Sequence, residues 1–196
     1  RLVTPGEVVE TVKADSLFYR NSGGGVTASG GEPTQQPEFL TELFEECQRA
    51  GLDTALDTCG YVRWEVLEPI LEFTDLVLFD IKHLDPDRHR ELTGVDNRLI
   101  LENIKRISER GTPLIVRIPL VPGCNDSPGA LSDMAGLLTR LNLTRVDLAP
   151  YHRLGAAKYS RLGMAYVLDG AEPYSEEEVE EIRNKLEDRG LEVEIA

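Results

Sequence analysis

The chain has 196 residues, 41% of them hydrophobic and 29% charged, so it can bury a core and does not have the composition of a disordered protein. Its formal net charge of −14 argues against a nucleic-acid or anionic-membrane partner, because both require a basic surface. No apolar run is long enough to cross a bilayer. The three cysteines have no disulfide-framework spacing, which indicates a reducing compartment and predicts a cytoplasmic protein.

Helical and extended patterns alternate along the whole chain. Helix caps and apolar spacing predict helices over about 5–13, 37–50, 63–72, 86–109 (a helical pair), 128–140, and a last helix capped by Ser175. Strands are predicted over 25–29, 54–57, 76–81, 113–120 and 145–149, with a closing extended segment at 191–195. This alternation predicts right-handed βαβ units around a parallel sheet, in one domain over residues 1–196. The continuous apolar run at 76–81 further predicts a strand buried on both faces.

A glycine-rich run at 22–33 reads Ser-Gly-Gly-Gly-Val-Thr-Ala-Ser-Gly-Gly-Glu-Pro. Glycine permits positive φ and a close approach of the backbone to a ligand. The run therefore predicts a strand whose C-terminal end presents bare backbone and the Glu32 carboxylate to a bound molecule. The spacing of Gly23, Gly25 and Ala28 also fits a loose dinucleotide fingerprint, but those glycines precede the strand whereas dinucleotide-binding glycines follow it. No P-loop sequence is present.

Polar residues collect where the predicted strands end. Ligands of parallel α/β folds bind at the carboxyl ends of the strands. The residues at these ends are Gly30, Gly31 and Glu32 after the first strand, Asp57, Thr58, Cys59 and Gly60 after the second, Asp80 and Lys82 at the third, Arg117 within the fourth and His152 after the fifth. A charge in a buried strand must be paired or ligand-bound. The residues alone thus leave open a ligand site, an internal ion network of Asp80, Lys82 and Arg117, or a metal-dependent hydrolase or lyase using Asp57, Asp80, Lys82 and His152.

Six motifs, taken in order, resemble those of the glycyl-radical-enzyme activating enzymes of the radical SAM (S-adenosylmethionine) family. They occupy residues 22–33, 56–61, 74–82, 92–94, 116–123 and 150–155. The resemblance implies an α/β fold, a partial (β/α)6 TIM-like barrel of parallel strands whose first strand and cluster loop are not in this chain. The single domain over 1–196 is then N-terminally incomplete. The family's Cys-x3-Cys-x2-Cys motif does not occur among these residues, and Cys47, Cys59 and Cys124 do not have its spacing.

The resemblance also implies a role for each strand-end residue. Gly30, Gly31 and Glu32 would contact the methionyl amino group of SAM and its neighbouring atoms. Lys82 would contact the SAM carboxylate or ribose oxygens as part of an Asp80-x-Lys82 motif, and Arg117 and His152 would hold the carboxylate and the nucleoside side. Asp57, Thr58 and Asp80, with the Phe79 carbonyl, would bind a monovalent cation, which prefers such hard oxygen ligands.

The implied activity is that of a radical SAM oxidoreductase. A [4Fe-4S] cluster would cleave SAM reductively, and the resulting radical would remove a hydrogen from a glycine of a partner glycyl radical enzyme. An electron donor such as flavodoxin or ferredoxin would be the second partner. Because the cluster cysteines are missing, we expect this chain alone to be inactive. Either the cluster segment precedes residue 1, or the chain is a cluster-free, non-catalytic SAM- or partner-binding module.

Two further predictions concern residues other than these strand-end residues. Loops at about 153–172, with Lys158, Tyr159 and Arg161, are candidates to receive the partner's glycine loop. His83 and His89 flank two aspartates in a polar segment, which predicts surface positions for both histidines.

Overall fold

The structure, a computed structural model, describes residues 2–153, 163, 168 and 170–196. The helices are α1 (Pro5–Val12), α2 (Ser16–Ser22), α3 (Pro37–Arg49), α4 (Trp64–Leu71), α5 (Pro86–Thr93), α6 (Arg98–Arg110), α7 (Pro128–Arg140) and α8 (Glu176–Glu187), with short 3-10 helices at Lys13–Asp15 and Pro33–Gln35. The strands are β1 (Gly25–Ala28), β2 (Asp53–Thr58), β3 (Leu76–Asp80), β4 (Leu114–Leu120), β5 (Arg145–Pro150) and β6 (Glu192–Ile195). No helix of the described residues is long and apolar enough to cross a membrane.

The strands form one six-stranded sheet in the order β1-β2-β3-β4-β5-β6. Strand β2 pairs in parallel with β1 and with β3, and β5 pairs in parallel with β4 and with β6. Helices separate the strands along the chain, so the predicted α/β fold with parallel strands is confirmed. The chain divides into two compact units, residues 1–80 with 97–115, and residues 81–96 with 116–196.

In the first unit, side chains alternate between a buried and a partly exposed face of the sheet. Val77 and Phe79 of β3 are fully buried, whereas Leu76 and Leu78 are only partly buried. The register places Asp57 of β2 beside Leu78, so both side chains lie on the partly exposed face. The prediction that residues 76–81 are buried on both faces is therefore wrong for one face, because that face carries carboxylates as well as apolar side chains.

The second unit shows the same alternation on β4 and β5. Ile118, Leu120 and Leu148 are buried. Between them on the other face, Arg117 of β4 is in register with Asp147 of β5. The sheet thus presents a charged strip on the partly exposed face of this unit.

Local signals placed most helix ends correctly. The Thr4–Glu7 and Ser175–Glu178 capping boxes are both formed, as predicted from their spacing. Helix α2 was not predicted. Its two large apolar residues, Leu17 and Phe18, are exposed, and its start has no side-chain cap, so neither apolar spacing nor capping marks it in the sequence.

Candidate functional site

The glycines of the 22–33 run serve two different purposes. Gly23 ends α2 in the left-handed conformation, with φ of 67°. A Cβ at Gly25 would lie 2.2 Å from the Asp53 carbonyl oxygen, so Gly25 lets β1 approach β2. Gly30 follows β1 with φ of 116°, which side chains rarely tolerate, yet a Cβ there would meet nothing within 4 Å. Gly31 has neither constraint: its φ is not positive and the space around it is open.

The Gly30–Gly31 turn is followed by Glu32, whose carboxylate is held by donors of the chain itself. Its Oε1 accepts hydrogen bonds from the Thr34 amide at 3.3 Å, the Thr34 hydroxyl at 2.8 Å and the Thr58 hydroxyl at 2.8 Å. Its Oε2 accepts from the Cys59 amide at 3.0 Å. Burial alone would raise the pKa of this carboxyl, but the hydrogen bonds from Cys59, Thr58 and Thr34 outweigh burial and lower it. Glu32 is therefore an ionised link between the ends of β1 and β2.

The turn after β2 is fixed by buried contacts. The Gly60 amide donates to the Thr58 hydroxyl at 3.0 Å. Gly60 has φ of 67°, and a Cβ there would lie 2.2 Å from Cζ of the buried Phe79 ring. Asn103 on α6, fully buried, donates through Nδ2 to the carbonyls of Gly60 at 2.8 Å and Val62 at 2.7 Å. Asn103 is not among the residues predicted from the sequence; its position on the same helix face as Ile100, Ile104 and Ile107 is the signal that could have found it.

Asp57 and Asp80 lie on the partly exposed face of the first unit. The Ser29 hydroxyl donates to Asp57 Oδ2 at 2.7 Å, which is a second link between the ends of β1 and β2. Asp80 is the last residue of β3 and is partly buried. The structure thus brings together the ends of β1 and β2 through Ser29–Asp57 and Glu32–Thr58, beside the open space at Gly31.

In the second unit, a buried asparagine organises the segment that contains Lys82. Asn125 donates through Nδ2 to the Lys82 carbonyl at 2.9 Å and to the Pro119 carbonyl at 2.7 Å. Its Oδ1 accepts from the Val121 amide at 2.8 Å. Both Nδ2 and Oδ1 of Asn125 therefore hydrogen-bond to backbone groups, and the side chain joins the end of β4 to Lys82. Asn125 is likewise not among the residues predicted from the sequence.

Arg117 and His152, the other predicted site residues of this unit, differ in exposure. Arg117 is partly buried and faces Asp147, which is in register with Arg117 on one side and Glu194 on the other. Burial and then the charge of Glu194 raise the pKa of Asp147, while Arg117 and Arg145 oppose the shift. His152 is exposed just beyond β5.

Several sequence predictions fall outside the site or need correction. His89 is 3% exposed and not a surface residue, because its Nδ1 lies 2.7 Å from the Val95 carbonyl in the turn that ends α5. Lys158, Tyr159 and Arg161 lie outside the described residues, as do Leu154 and Gly155 of the sixth motif.

The three cysteines do not fit a [4Fe-4S] cluster. Cys47 is fully buried in α3, where burial raises the pKa of its thiol, whereas Cys59 follows β2 and Cys124 follows β4. Cluster iron needs accessible thiolates grouped on one loop. Across the described residues, no group of three or more His, Cys, Asp or Glu side chains is placed to hold a metal ion. No step through a cluster can be derived from these residues.

The chain is similar to a known protein family, to curated relatives and to a solved structure. Residues 1–134 match the radical SAM superfamily. The chain is 40% identical over 186 residues to the choline trimethylamine-lyase activating enzyme of Oleidesulfovibrio alaskensis, covering 91% of this chain and 59% of that protein. It is 46% identical over 158 residues to the isethionate sulfite-lyase activating enzyme of Nitratidesulfovibrio vulgaris, covering 80% and 51%. A crystal structure of a domain of pyruvate-formate lyase-activating enzyme from Bacteroides vulgatus superposes with a TM-score of 0.74 at 32% identity, covering 88% of this chain and 99% of that one.

The chain therefore belongs to the radical SAM superfamily, which excludes the unrelated hydrolase or lyase. Its relatives named above are activating enzymes, so the resemblance noted in the sequence is confirmed. The chain spans little more than half the length of the two curated relatives, 59% and 51%. The Gly30–Gly31 turn, an open and side-chain-free backbone at a strand end beside an ionised carboxylate, suits a ligand that carries an ammonium group.

Proposed function

We propose that this chain is the SAM-binding portion of an activating enzyme that generates a glycyl radical on a partner enzyme. One observation carries the proposal, the turn that follows β1. The positive φ of Gly30 explains why that position is a glycine. Nothing in the fold requires a glycine at Gly31, because its φ is not positive and a side chain would have room there. A fold that leaves space at the carboxyl end of a parallel strand supports a ligand at that position.

The proposed roles follow the chemistry of each residue. Backbone carbonyls of the Gly30–Gly31 turn accept hydrogen bonds from the SAM ammonium, and the negative charge of the neighbouring Glu32 favours a cation there. Lys82 and Arg117 suit the SAM carboxylate, because both are cationic donors and Arg can bind a carboxylate through two parallel hydrogen bonds. His152 faces the nucleoside side. The roles of Lys82, Arg117 and His152 rest on the order of the motifs in the sequence.

A monovalent cation at Asp57, Thr58 and Asp80, with the Phe79 carbonyl, is part of the proposal. The partly exposed face that carries Asp57 supports it, because carboxylate, hydroxyl and carbonyl oxygens are the ligands that hard cations prefer. If the proposal is correct, SAM binds more tightly with sodium or potassium present than with a bulky organic cation. Equal affinity in the two solutions would remove the cation from the site.

The activity of the whole protein is inferred from the relatives. Both curated relatives are named as activating enzymes of a lyase, and the partner proposed here is a glycyl radical enzyme. The electron donor would be a flavodoxin or a ferredoxin, and the compartment the cytoplasm. The part of this chain is to bind and orient SAM, since its described cysteines do not fit a cluster.

The test is a calorimetric titration of the chain with SAM, in anaerobic buffer that contains sodium or potassium. Gly31→Ala is compared with Gly129→Ala, because both glycines have open surroundings and neither has a positive φ. We expect both variants to unfold like the wild type, and only Gly31→Ala to lose SAM affinity, by about tenfold or more, since a methyl group would fill ligand space. Equal binding by both variants would refute the placement of the site. No saturable binding by the wild type would refute the proposal that this chain holds SAM.

A second candidate is a cluster-free, non-catalytic module that binds SAM or a partner. The observation that favours it is the poor fit of Cys47, Cys59 and Cys124 to a cluster. The coding sequence upstream of residue 1 separates the two candidates. An in-frame Cys-x3-Cys-x2-Cys motif there supports the activating enzyme, and an upstream sequence without it supports the module.

A further inference from the structure

The hydrogen bonds to Glu32 tie together two segments that are distant in sequence. Thr58 is 26 positions and Cys59 27 positions from Glu32 along the chain, yet both donate to its carboxylate. Thr34 donates twice from within the short 3-10 helix that Glu32 caps. The carboxylate is thus shared between the turn after β1 and the turn after β2.

The Glu32 carboxylate has no capacity left for a ligand. A carboxylate has about four lone-pair sites. Oε1 accepts from three donors, two at 2.8 Å and one at 3.3 Å, Oε2 accepts from the Cys59 amide at 3.0 Å, and the Cys59 side chain also hydrogen-bonds to the carboxylate. The hydroxyls come from Thr34 and Thr58, which are 3% and 2% exposed. Breaking either contact to reach a ligand would leave a buried hydroxyl without its acceptor, which is costly.

From this geometry we infer that Glu32 is a positioning residue: its carboxylate locks the Gly30–Gly31 turn to the Thr58–Cys59–Gly60 turn before any ligand arrives, and the glycine backbone receives the ligand's ammonium. Thr34 and Thr58 are then positioning residues as well, because they orient the carboxylate. The inference rests on the proposed SAM site. It goes beyond that site by assigning to Glu32 a role other than direct contact and by adding Thr34.

The lock is consistent with the other contacts of the two turns. The Thr58 hydroxyl, which donates to Glu32, also accepts from the Gly60 amide at 3.0 Å. The Gly60 carbonyl in turn accepts from Asn103 at 2.8 Å. A continuous chain of hydrogen bonds therefore runs from the buried face of α6 through the second turn to Glu32. Such a chain fixes the carboxylate without help from a ligand.

The experiment tests positioning by removing the donors that orient the carboxylate instead of the carboxylate itself. Thr34→Val and Thr58→Val keep the side-chain shape and delete the hydroxyl, and Thr34→Ser and Thr58→Ser retain it. Thr41→Val is the matched control, since the Thr41 hydroxyl donates only to the Pro37 carbonyl inside α3. Each variant is titrated with SAM at a temperature at which it is fully folded by circular dichroism. Glu32→Gln and the double variant Glu32→Gln/Thr34→Val complete a cycle, since Thr34 lies outside the proposed cation site.

If Glu32 acts through these donors, each valine variant loses about tenfold in SAM affinity, as for loss of one hydrogen bond to a charged group. The serine variants and Thr41→Val bind like the wild type, and the double variant binds no more weakly than Glu32→Gln. Should both valine variants bind SAM normally while Glu32→Gln loses binding, the carboxylate contacts the ligand directly and the inference is wrong. It is also wrong if Glu32→Gln binds normally.

A second measurement needs no ligand and keeps the inference distinct from the proposed function. Amide hydrogen exchange of Cys59, followed by NMR, reports the Oε2 contact. We expect Glu32→Gln to speed exchange at Cys59 about tenfold or more, with exchange at the Ile104 amide in the middle of α6 unchanged. Unchanged exchange at Cys59 would overturn the lock even if SAM binds. Faster exchange in a chain that does not bind SAM would keep the lock and refute only the proposed function.

Discussion

The turn after β2 offers the sharpest test of how the site is built, through Gly60→Ala. The substitution meets two independent obstacles. Gly60 has φ of 67°, where an ordinary residue is strained by about 1–2 kcal/mol. The new methyl group would also lie 2.2 Å from Cζ and 2.5 Å from Cε2 of Phe79, a ring with no exposed surface. Forcing an extra methyl into a packed core costs about 1–3 kcal/mol, so we expect about 2–5 kcal/mol of destabilisation in all.

Gly111→Ala isolates the first of these two effects. Gly111 ends α6 with φ of 79°, and a Cβ there would meet nothing within 4 Å. Urea unfolding of both variants should therefore give about 1–2 kcal/mol for Gly111→Ala and a larger loss for Gly60→Ala, with similar m-values. Phe79→Leu in the Gly60→Ala background should cost less than the sum of the single changes, because it removes the ring tip. Equal destabilisation by the two alanines, or strict additivity with Phe79→Leu, would refute the steric reasoning.

Two further predictions concern the second unit. Asn125→Asp replaces the amide donor with a carboxylate oxygen that faces the Lys82 and Pro119 carbonyls, so we expect urea unfolding at pH 7 to show about 3 kcal/mol or more of destabilisation. The exposed control Asn184→Asp should show almost none, and a small effect at Asn125 would mean that its amide does not hold Lys82. Burial and Glu194 raise the pKa of Asp147, so its charge opposes folding at neutral pH and this cost disappears as the pH falls below the unfolded value of about 3.9. Thermal melts should therefore show Asp147→Asn to be more stable than the wild type at pH 7 but not at pH 3. A loss of stability at pH 7 would show that the attraction between Asp147 and Arg117 outweighs both the burial of Asp147 and its repulsion by Glu194.

The sequence predicted those features whose signals are local. Only a few neighbouring residues define the capping boxes at Thr4 and Ser175 and the helix-ending glycine at Gly111. The starts of α1 and α8 and the end of α6 are therefore predicted to within a residue or two. Apolar runs placed β3 and β4 in the same way. Helix α2 has no such signal, since its apolar residues are exposed.

The parts of the site that sequence reasoning missed depend on contacts between distant residues. Nothing near Glu32 indicates that its carboxylate is held by Thr58, and nothing near Gly60 indicates that Phe79 fills the space beside it. The surface position predicted for His89 is wrong for the same reason: its neighbours are polar, but its own side chain is 3% exposed, with Nδ1 against the Val95 carbonyl. Composition describes the segment, whereas burial is decided by what the segment packs against.

Each unit relies on one buried asparagine to hold strand-end backbone, and this bears on how the proposed site is prepared for its ligand. Asn103 bonds the Gly60 and Val62 carbonyls in the first unit, and Asn125 bonds the Lys82 and Pro119 carbonyls in the second. Loop backbone at a strand end has no ladder partner, so without these amides the carbonyls would need water or a ligand. Ligand binding then does not have to order these turns, and less of the interaction energy is lost as conformational entropy. In the first unit, the second turn is thus fixed by Asn103 and joined through Thr58 to Glu32, and open space for a ligand remains at Gly31.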